Sequence, residues 1–266
     1  MKVGVTSDGE GLVSHAGSAL LAGVAEKTGL ARSLSSELGG VRRRRGRHDP
    51  GRVIADLAVM LADGGDCLSD LRAMRDQAPL FGQVASASTA FRLVDAIASD
   101  PAGLERLRSS HARARARVWK LLGAPSELTI DVDATLIASH SEKDGAAGNF
   151  KGGYGHHPLL CYLDETGEAP AGILRPGNAG SNTASDHVAL LDLALAQLDP
   201  QALEGEILVR GDGAGATHEL TEYCREGAMG FSFGFDLSER VREAIPSMSE
   251  SAWVKAIRSD GTERER

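Results

Sequence analysis

The chain has 266 residues, a net charge of −8, 42% hydrophobic and 25% charged residues, a balance that belongs to a globular protein rather than a disordered or fibrous one. Three cysteines, Cys67, Cys161 and Cys224, are odd in number and far apart, which speaks against a disulfide framework and against a zinc site. No run approaches the ~20 apolar residues of a membrane span, and "MKVGVTSDGEGLVSH" has no secretory core, so a cytoplasmic protein without a membrane partner is expected.

The first half reads as helices. "SHAGSALLAGVAEKTGLARSLSSEL" sets Ala19, Leu20, Gly23, Val24 and Leu30 at helical spacing, with Ser14 or Ser18 as a cap. The basic run "VRRRRGRH" follows, and Arg42, Arg43, Arg44, Arg45 and Arg47 suit a loop that grips phosphates without reading sequence; a solvated linker is the plainer reading. Pro50 opens the next helix, with Val53, Leu57, Met60 and Leu61 on one face. Gly64-Gly65 breaks it, and a shorter helix is expected over Leu68–Met74. "SASTAFRLVDAIA" is another helix, opened by Ser86 or Ser88. The last helix of this half, "DPAGLERLRSSHARARARVWKLLG", carries arginines that wrap around it, which fits DNA contact and intramolecular pairing equally. Gly123-Ala-Pro125 ends it, so the division falls between 1–125 and 126–266.

The second half alternates between periods. "LTIDVDATLIAS", "HPLLCYLD" and "APAGILRP" read as strands, the last two joined by a turn over 165–168. A helix from Asn182, a buried strand "GEILVRGDG", a helix "ATHELTEYCRE" and a strand "AMGFSFGFD" complete the order β-β-β-α-β-α-β. A hairpin opening with a parallel return gives the expected fold class: α/β, a ribonuclease-H-like mixed sheet with flanking helices, preceded by an all-helical N-terminal domain. Charge divides with it. Residues 1–126 carry 18 Lys and Arg against 13 Asp and Glu, and residues 127–266 carry 11 against 24. A nucleic-acid-contacting part beside an acidic, metal-using part fits this split, and so do two domains that attract each other.

Acidic residues carry the chemistry. Asp131 and Asp133 alternate with Ile130, Val132 and Ala134, so both carboxylates project to one face of a strand and need a metal ion, an arginine or a proton for company. A solvated strand-end cap is the plainer reading of one of them. Asp212 ends a second strand, either as a helix cap or as a partner of the first pair; two strand ends with Asp side by side suit one or two Mg²⁺ ions. Between them, "SHSEKDGAAGNFKGGYGHHP" is a long polar loop with Lys143, Lys151, His140, His156 and His157, the histidines expected at the surface or on DNA phosphates. Arg175 is available to neutralise a carboxylate.

"DVDAT" with a later "GDG" resembles the haloacid-dehalogenase-like phosphohydrolases, where the first Asp is a nucleophile; the segment Gly211–Ala216 lacks the second Asp of that pattern. A broader likeness covers nearly the whole chain. "HDPGRVIADLAVMLADGGDCLSDL", "FGQVASASTAFRLVDAI", "IDVDATLIASHSEKDGAAGNFKGGYGHHPLL", "LRPGNAGSNTASDH" and "VRGDGAGATHE" resemble the bacterial insertion-sequence transposases of the DDE class, in the group named after insertion sequence thirteen-eighty. The resemblance implies a helical DNA-binding and assembly region, then a catalytic domain using Mg²⁺ or Mn²⁺ to hydrolyse transposon ends and join the freed 3′-hydroxyl to target DNA. It places the first catalytic aspartate on Asp133, with Asp131 beside it, and the second on Asp212. It also implies double-stranded DNA at terminal inverted repeats as the partner, a nucleoid-associated location, and assembly as a homodimer or with a full-length copy. The third family carboxylate, a glutamate on a later helix, has no match: Glu239, Glu243 and Glu250 follow the last strand too soon. The sequence therefore reads as a truncated copy of impaired activity, or a non-catalytic DNA-end-binding fragment that modulates the full-length enzyme.

Overall fold

The computed structural model describes residues 15–41, 47–140, 142–258 and 260–264. Among the described residues, seven α-helices fill the first half: α1 Ser18–Lys27, α2 Leu30–Leu38, α3 Pro50–Ala62, α4 Leu71–Arg75, α5 Ala78–Phe81, α6 Ala87–Ala98 and α7 Gly103–Leu122. Asp49 caps α3 by accepting the Arg52 N–H at 2.8 Å, with Pro50 in the first turn where its missing N–H costs nothing. Ser86 caps α6 by accepting the Thr89 N–H at 3.3 Å. Leu34, Leu38, Val53, Met60, Leu71, Met74, Leu93 and Ile97 form one core. Gly51 sits where α3 crosses α2, so close that a Cβ there would lie 2.0 Å from the Ser35 nitrogen. Only glycine fits that crossing.

Five details of this half depart from the sequence reading. Ser18 is not a cap: Gly17 occupies that position, and the buried Ser18 hydroxyl donates to Asp63. The expected apolar face of α1 is split, with Leu20 and Val24 exposed while Ala19 packs against the core, and Leu61 is likewise exposed at the end of α3. Spacing marks a stripe without marking what covers it. The segment expected as one helix over Leu68–Met74 begins as a 3₁₀ turn over Leu68–Asp70, with Asp70 accepting the Asp66 and Cys67 amides, and the short α5 was not anticipated.

The second half is built on β1 Glu127–Ala134, followed by β2 Ile137–Ala138, β3 Ala147–Gly148 and β4 Tyr154–His156, then β5 Leu159–Leu163, β6 Ala171–Ile173, α8 Ala184–Leu195, β7 Glu206–Gly211, α9 His218–Glu226, β8 Gly230–Phe233 and α10 Glu239–Ala244. The five-stranded sheet runs β6-β5-β1-β7-β8, with β1–β5 and β5–β6 antiparallel and β1–β7 and β7–β8 parallel. That order and those directions are those of the ribonuclease-H-like fold. One face packs Leu128, Ile130, Cys161, Leu163 and Val209 against Leu190, Leu191 and Ala194 of α8 and Leu220 and Cys224 of α9. Burial in this core pushes the Cys161 thiol up to about 11, which keeps it protonated and inert.

Two expectations are corrected here. The first strand does not run on through "TLIAS": it stops at Ala134, and the Thr135 N–H turns to the Pro158 carbonyl at 3.1 Å. The polar excursion is not structureless either, because β2, β4 and β3 form a small sheet in that order. Gly155 makes this sheet possible; its φ is +155°, and a Cβ would lie 2.0 Å from the Ile137 carbonyl oxygen.

α7 joins the halves. Its first part packs on α2, while Trp119 lies in the second core and donates from Nε1 to Glu168 Oε2 at 3.2 Å. Arg115, almost wholly buried, donates to the Gln197 carbonyl at 3.1 Å and pairs with Glu168 at 3.4 Å. Arg106 pairs with Asp100 and Arg113 with Glu37, so three of the five α7 arginines serve intramolecular contacts.

Candidate active site at a strand edge

The register of the two central parallel strands builds the site. β1 and β7 pair Asp131 with Arg210 and Val132 with Gly211. One step further along both chains are Asp133 and Asp212, just where β7 ends. Paired residues of neighbouring strands project to the same side, so Asp131, Arg210, Asp133 and Asp212 share the face opposite α8 and α9. This is the carboxyl edge of the parallel pair, where open α/β sheets place their ligands.

The two steps of this ladder differ in charge. Arg210 donates from Nε and an Nη to the two oxygens of Asp131, both at 2.6 Å, and lies 3.3 Å from Asp164. These bonds, that to Asp131 foremost, push the guanidinium well above its ordinary range. A bidentate pair of this kind neutralises Asp131 and fixes its direction. Asp133 is exposed, and its Oδ1 accepts the Ala134 N–H at 2.8 Å. Asp212 is exposed as well. Its Oδ1 caps the 3₁₀ turn Gly213–Gly215 by accepting the Ala214 N–H at 2.9 Å, while Oδ2 has no partner among the described residues. The plain capping reading of Asp212 is thus correct for one oxygen only. Phe233 of β8 packs beneath, 3.3 Å from where a Cβ on Gly211 would stand.

A buried frame supports the edge from the other side. Arg175 donates to the carbonyls of His157 and Gly180 at 3.0 and 3.1 Å and pairs with Asp186 at 3.1 Å, the neutralising role its sequence position suggested. His157 bonds the Ala179 carbonyl at 3.0 Å through Nδ1, and His156 bonds the Asp144 carbonyl at 3.0 Å through Nε2. Both histidines are buried, which corrects their expected place at the surface. They close the small sheet and the loop into α8 rather than face solvent.

The remaining candidates are dispersed. Lys143 and Lys151 are exposed on the small-sheet excursion, Lys151 with its ammonium 5.6 Å above the Phe150 ring. Arg47 lies in the helical half, and Arg42, Arg43, Arg44 and Arg45 lie outside the described residues. Among the described residues no group of three or more His, Cys, Asp or Glu side chains is placed to hold a metal ion. Glu239, Glu243 and Glu250 are exposed. Arg210 is the site residue that sequence reasoning missed.

The family described as "Transposase DDE domain group 1" is matched over residues 1–265. The chain belongs to that family. No curated protein matches the sequence. Among solved structures, this transposase-family chain is similar to one in a simian T-cell lymphotropic virus intasome in complex with PP2A regulatory subunit B56 gamma (14% identity, 70% of this chain and 62% of that one, TM-score 0.31). It is also similar to piggyBac transposase in a synaptic complex with hairpin DNA (14% identity, 88% and 54%, TM-score 0.38) and to a pre-cleavage Mos1 transpososome (10% identity, 71% and 60%, TM-score 0.28). The transposase-family chain thus spans less than two thirds of each of these three. Likenesses this distant carry no argument for function. No helix among the described residues is long and apolar enough to cross a membrane.

Proposed function

We propose that this chain binds double-stranded DNA at the terminal inverted repeats of a transposon, and that its strand edge carries metal-dependent phosphodiester hydrolysis and strand transfer into target DNA. The observation behind this reading is the lateral pair of Asp133 and Asp212 at the carboxyl edge of two parallel strands, with Asp131 already neutralised by Arg210. Exposed carboxylate oxygens are the hard donors that Mg²⁺ and Mn²⁺ take, and Mg²⁺ commonly sits on one or two carboxylates with substrate phosphate and water completing its shell. Asp133 and Asp212 would hold the ion. An ion held there would supply Lewis-acid polarisation of a phosphoryl oxygen and a lowered pKa for an attacking water or hydroxyl.

The protein's own groups do the positioning. Arg210 withdraws Asp131 from the metal set, and the Ala214 amide holds Asp212 by one oxygen. Lys143, Lys151 and Arg47, with Arg42, Arg43, Arg44 and Arg45, are assigned to the DNA backbone. The helical residues 1–125 serve DNA binding and assembly, as a homodimer or with another transposase chain, and 126–266 carry the carboxylates. The phosphohydrolase reading is disfavoured by Asp131, whose two oxygens are both engaged and ill placed to attack a phosphate.

A second reading, a DNA-end-binding fragment without cleavage of its own, is favoured by one observation: no third carboxylate joins Asp133 and Asp212 among the described residues. Both readings are tested on the 266-residue chain with a duplex carrying the terminal repeats and Mn²⁺. Weak Mn²⁺ binding and slow end nicking, both removed by Asp133→Asn or Asp212→Asn, are expected of the enzyme; repeat binding without nicking is expected of the fragment. Mn²⁺ binding indifferent to both substitutions would falsify the site, and turnover of small phosphate esters through an acyl phosphate on Asp131 would replace it with the phosphohydrolase.

A further inference from the structure

A cleft of about 300 Å³ opens in the helical half, far in sequence from the aspartates, lined by Arg47, His48, Arg75, Gln83 and Ser86 among others. That volume is at the lower end of the ~300–1,000 Å³ spanned by ligand pockets. Its basic side chains come from separate elements: Arg47 and His48 from the approach to α3, and Arg75 from the last turn of α4. Among the described residues no carboxylate lines it. The two nearest in sequence are engaged elsewhere, Asp49 with the Arg52 amide and the Ser35 hydroxyl, and Asp76 with Arg72. Arg47 is steadied from behind, its Nε donating to Gln83 Oε1 at 3.2 Å, which leaves the outer guanidinium nitrogens for another acceptor. Arg75 has no partner among the described residues. The N-terminal end of α6 also reaches the cleft at Ser86 and adds its partial positive charge.

A folded chain seldom sets two arginines around one hollow without an anion to share them, because like charges repel there. We infer that this cleft is a phosphate-binding site that takes one backbone phosphodiester of duplex DNA. It rests on the DNA-binding part of the proposed function but not on the aspartate pair. Arginine forks suit a phosphate bidentately, and a contact of this kind fixes position without reading bases.

Anisotropy titrations in EDTA, with the terminal-repeat duplex and an unrelated duplex of equal length, test it across a salt series. Each lost phosphate contact lowers the slope of log K against log salt by about 0.9. Arg75→Gln and Arg47→Gln are each expected to lose about that much and to weaken both duplexes alike, whereas Arg72→Gln, a residue of the same helix that pairs with Asp76 and does not line the cleft, keeps the wild-type slope. Slopes of the first two variants equal to that of Arg72→Gln overturn the site while leaving DNA binding intact; a wild type that binds neither duplex overturns the DNA reading itself. Inorganic phosphate supplies the second arm. It is expected to shift the His48 ring resonances in the wild type and not in Arg75→Gln; that shift with unaltered duplex slopes overturns the DNA assignment in favour of a small phosphate ligand.

Discussion

Removing Arg210 should tighten metal binding, not weaken it. Arg210→Ala strips Asp131 of the guanidinium that holds both its oxygens and leaves a bare carboxylate two residues from Asp133. Residues two apart on a strand are separated by roughly 7 Å. At that distance a pair of unit charges interacts by about 0.6 kcal/mol under water-like screening, and a divalent ion doubles this to about 1.2 kcal/mol; a lower effective dielectric raises it further. The edge is half exposed, so the low end of the range applies: about 1–2 kcal/mol, or roughly 5- to 30-fold in affinity. Free Mn²⁺ measured by electron paramagnetic resonance at low ionic strength reads the effect directly, since salt shortens the reach of exposed charges. The double variant Asp131→Asn/Arg210→Ala, which lacks both charges, should return to the wild-type affinity. An Arg210→Ala chain that binds Mn²⁺ no better than wild type would refute the separation of a neutralised Asp131 from a ligating Asp133 and Asp212.

Two predictions concern the frame. Asp56 is buried in the helical core, where desolvation first, then its Arg52 partner in opposition, sets its carboxyl at about 6 instead of 3.8. The folded state then holds this proton more tightly than the unfolded one, so the contribution is full below pH 3.8 and is lost as pH rises through 6, by at most about 3 kcal/mol. Urea unfolding from pH 4 to 7 should show the wild type losing stability relative to Asp56→Asn by that order, and a constant difference between them would contradict it. Gly155→Ala places a Cβ against the Ile137 carbonyl at a φ that L-residues rarely adopt, for a cost of at least about 2 kcal/mol. Hydrogen exchange should then speed up at Ser139, whose amide bonds the Tyr154 carbonyl, while the amides pairing β1 with β7 keep their protection.

Much of the sheet was legible because strand order follows from local signals. Alternation marked β1 and β5, the turn over 165–168 fixed the hairpin, and each amphipathic helix marked a crossover. The failures arise where a distant partner decides. Apolar spacing on α1 could not say that Leu20 and Val24 face outward, since only the position of α3 determines which side is covered. The polar composition of residues 140–158 concealed the small sheet, whose few pairs depend on one glycine's backbone and on two histidines bonding carbonyls 12 and 22 residues away.

The site itself was half legible, and the missing half lay in plain view. "DVD" and "RGD" have the same spacing, a charged residue two before an aspartate. Once β1 and β7 are taken as parallel and in register, the first members must meet and the second members must meet. Opposite signs at the first step make an ion pair; like signs at the second leave two carboxylates that pair with no cation among the described residues. Under the proposed function, the choice between the two aspartates of "DVD" therefore turns on the neighbouring strand, which favours Asp133, and not on the motif. A single-strand pattern supplies candidate ligands, but the adjacent strand's charge at each step determines which of them remains available.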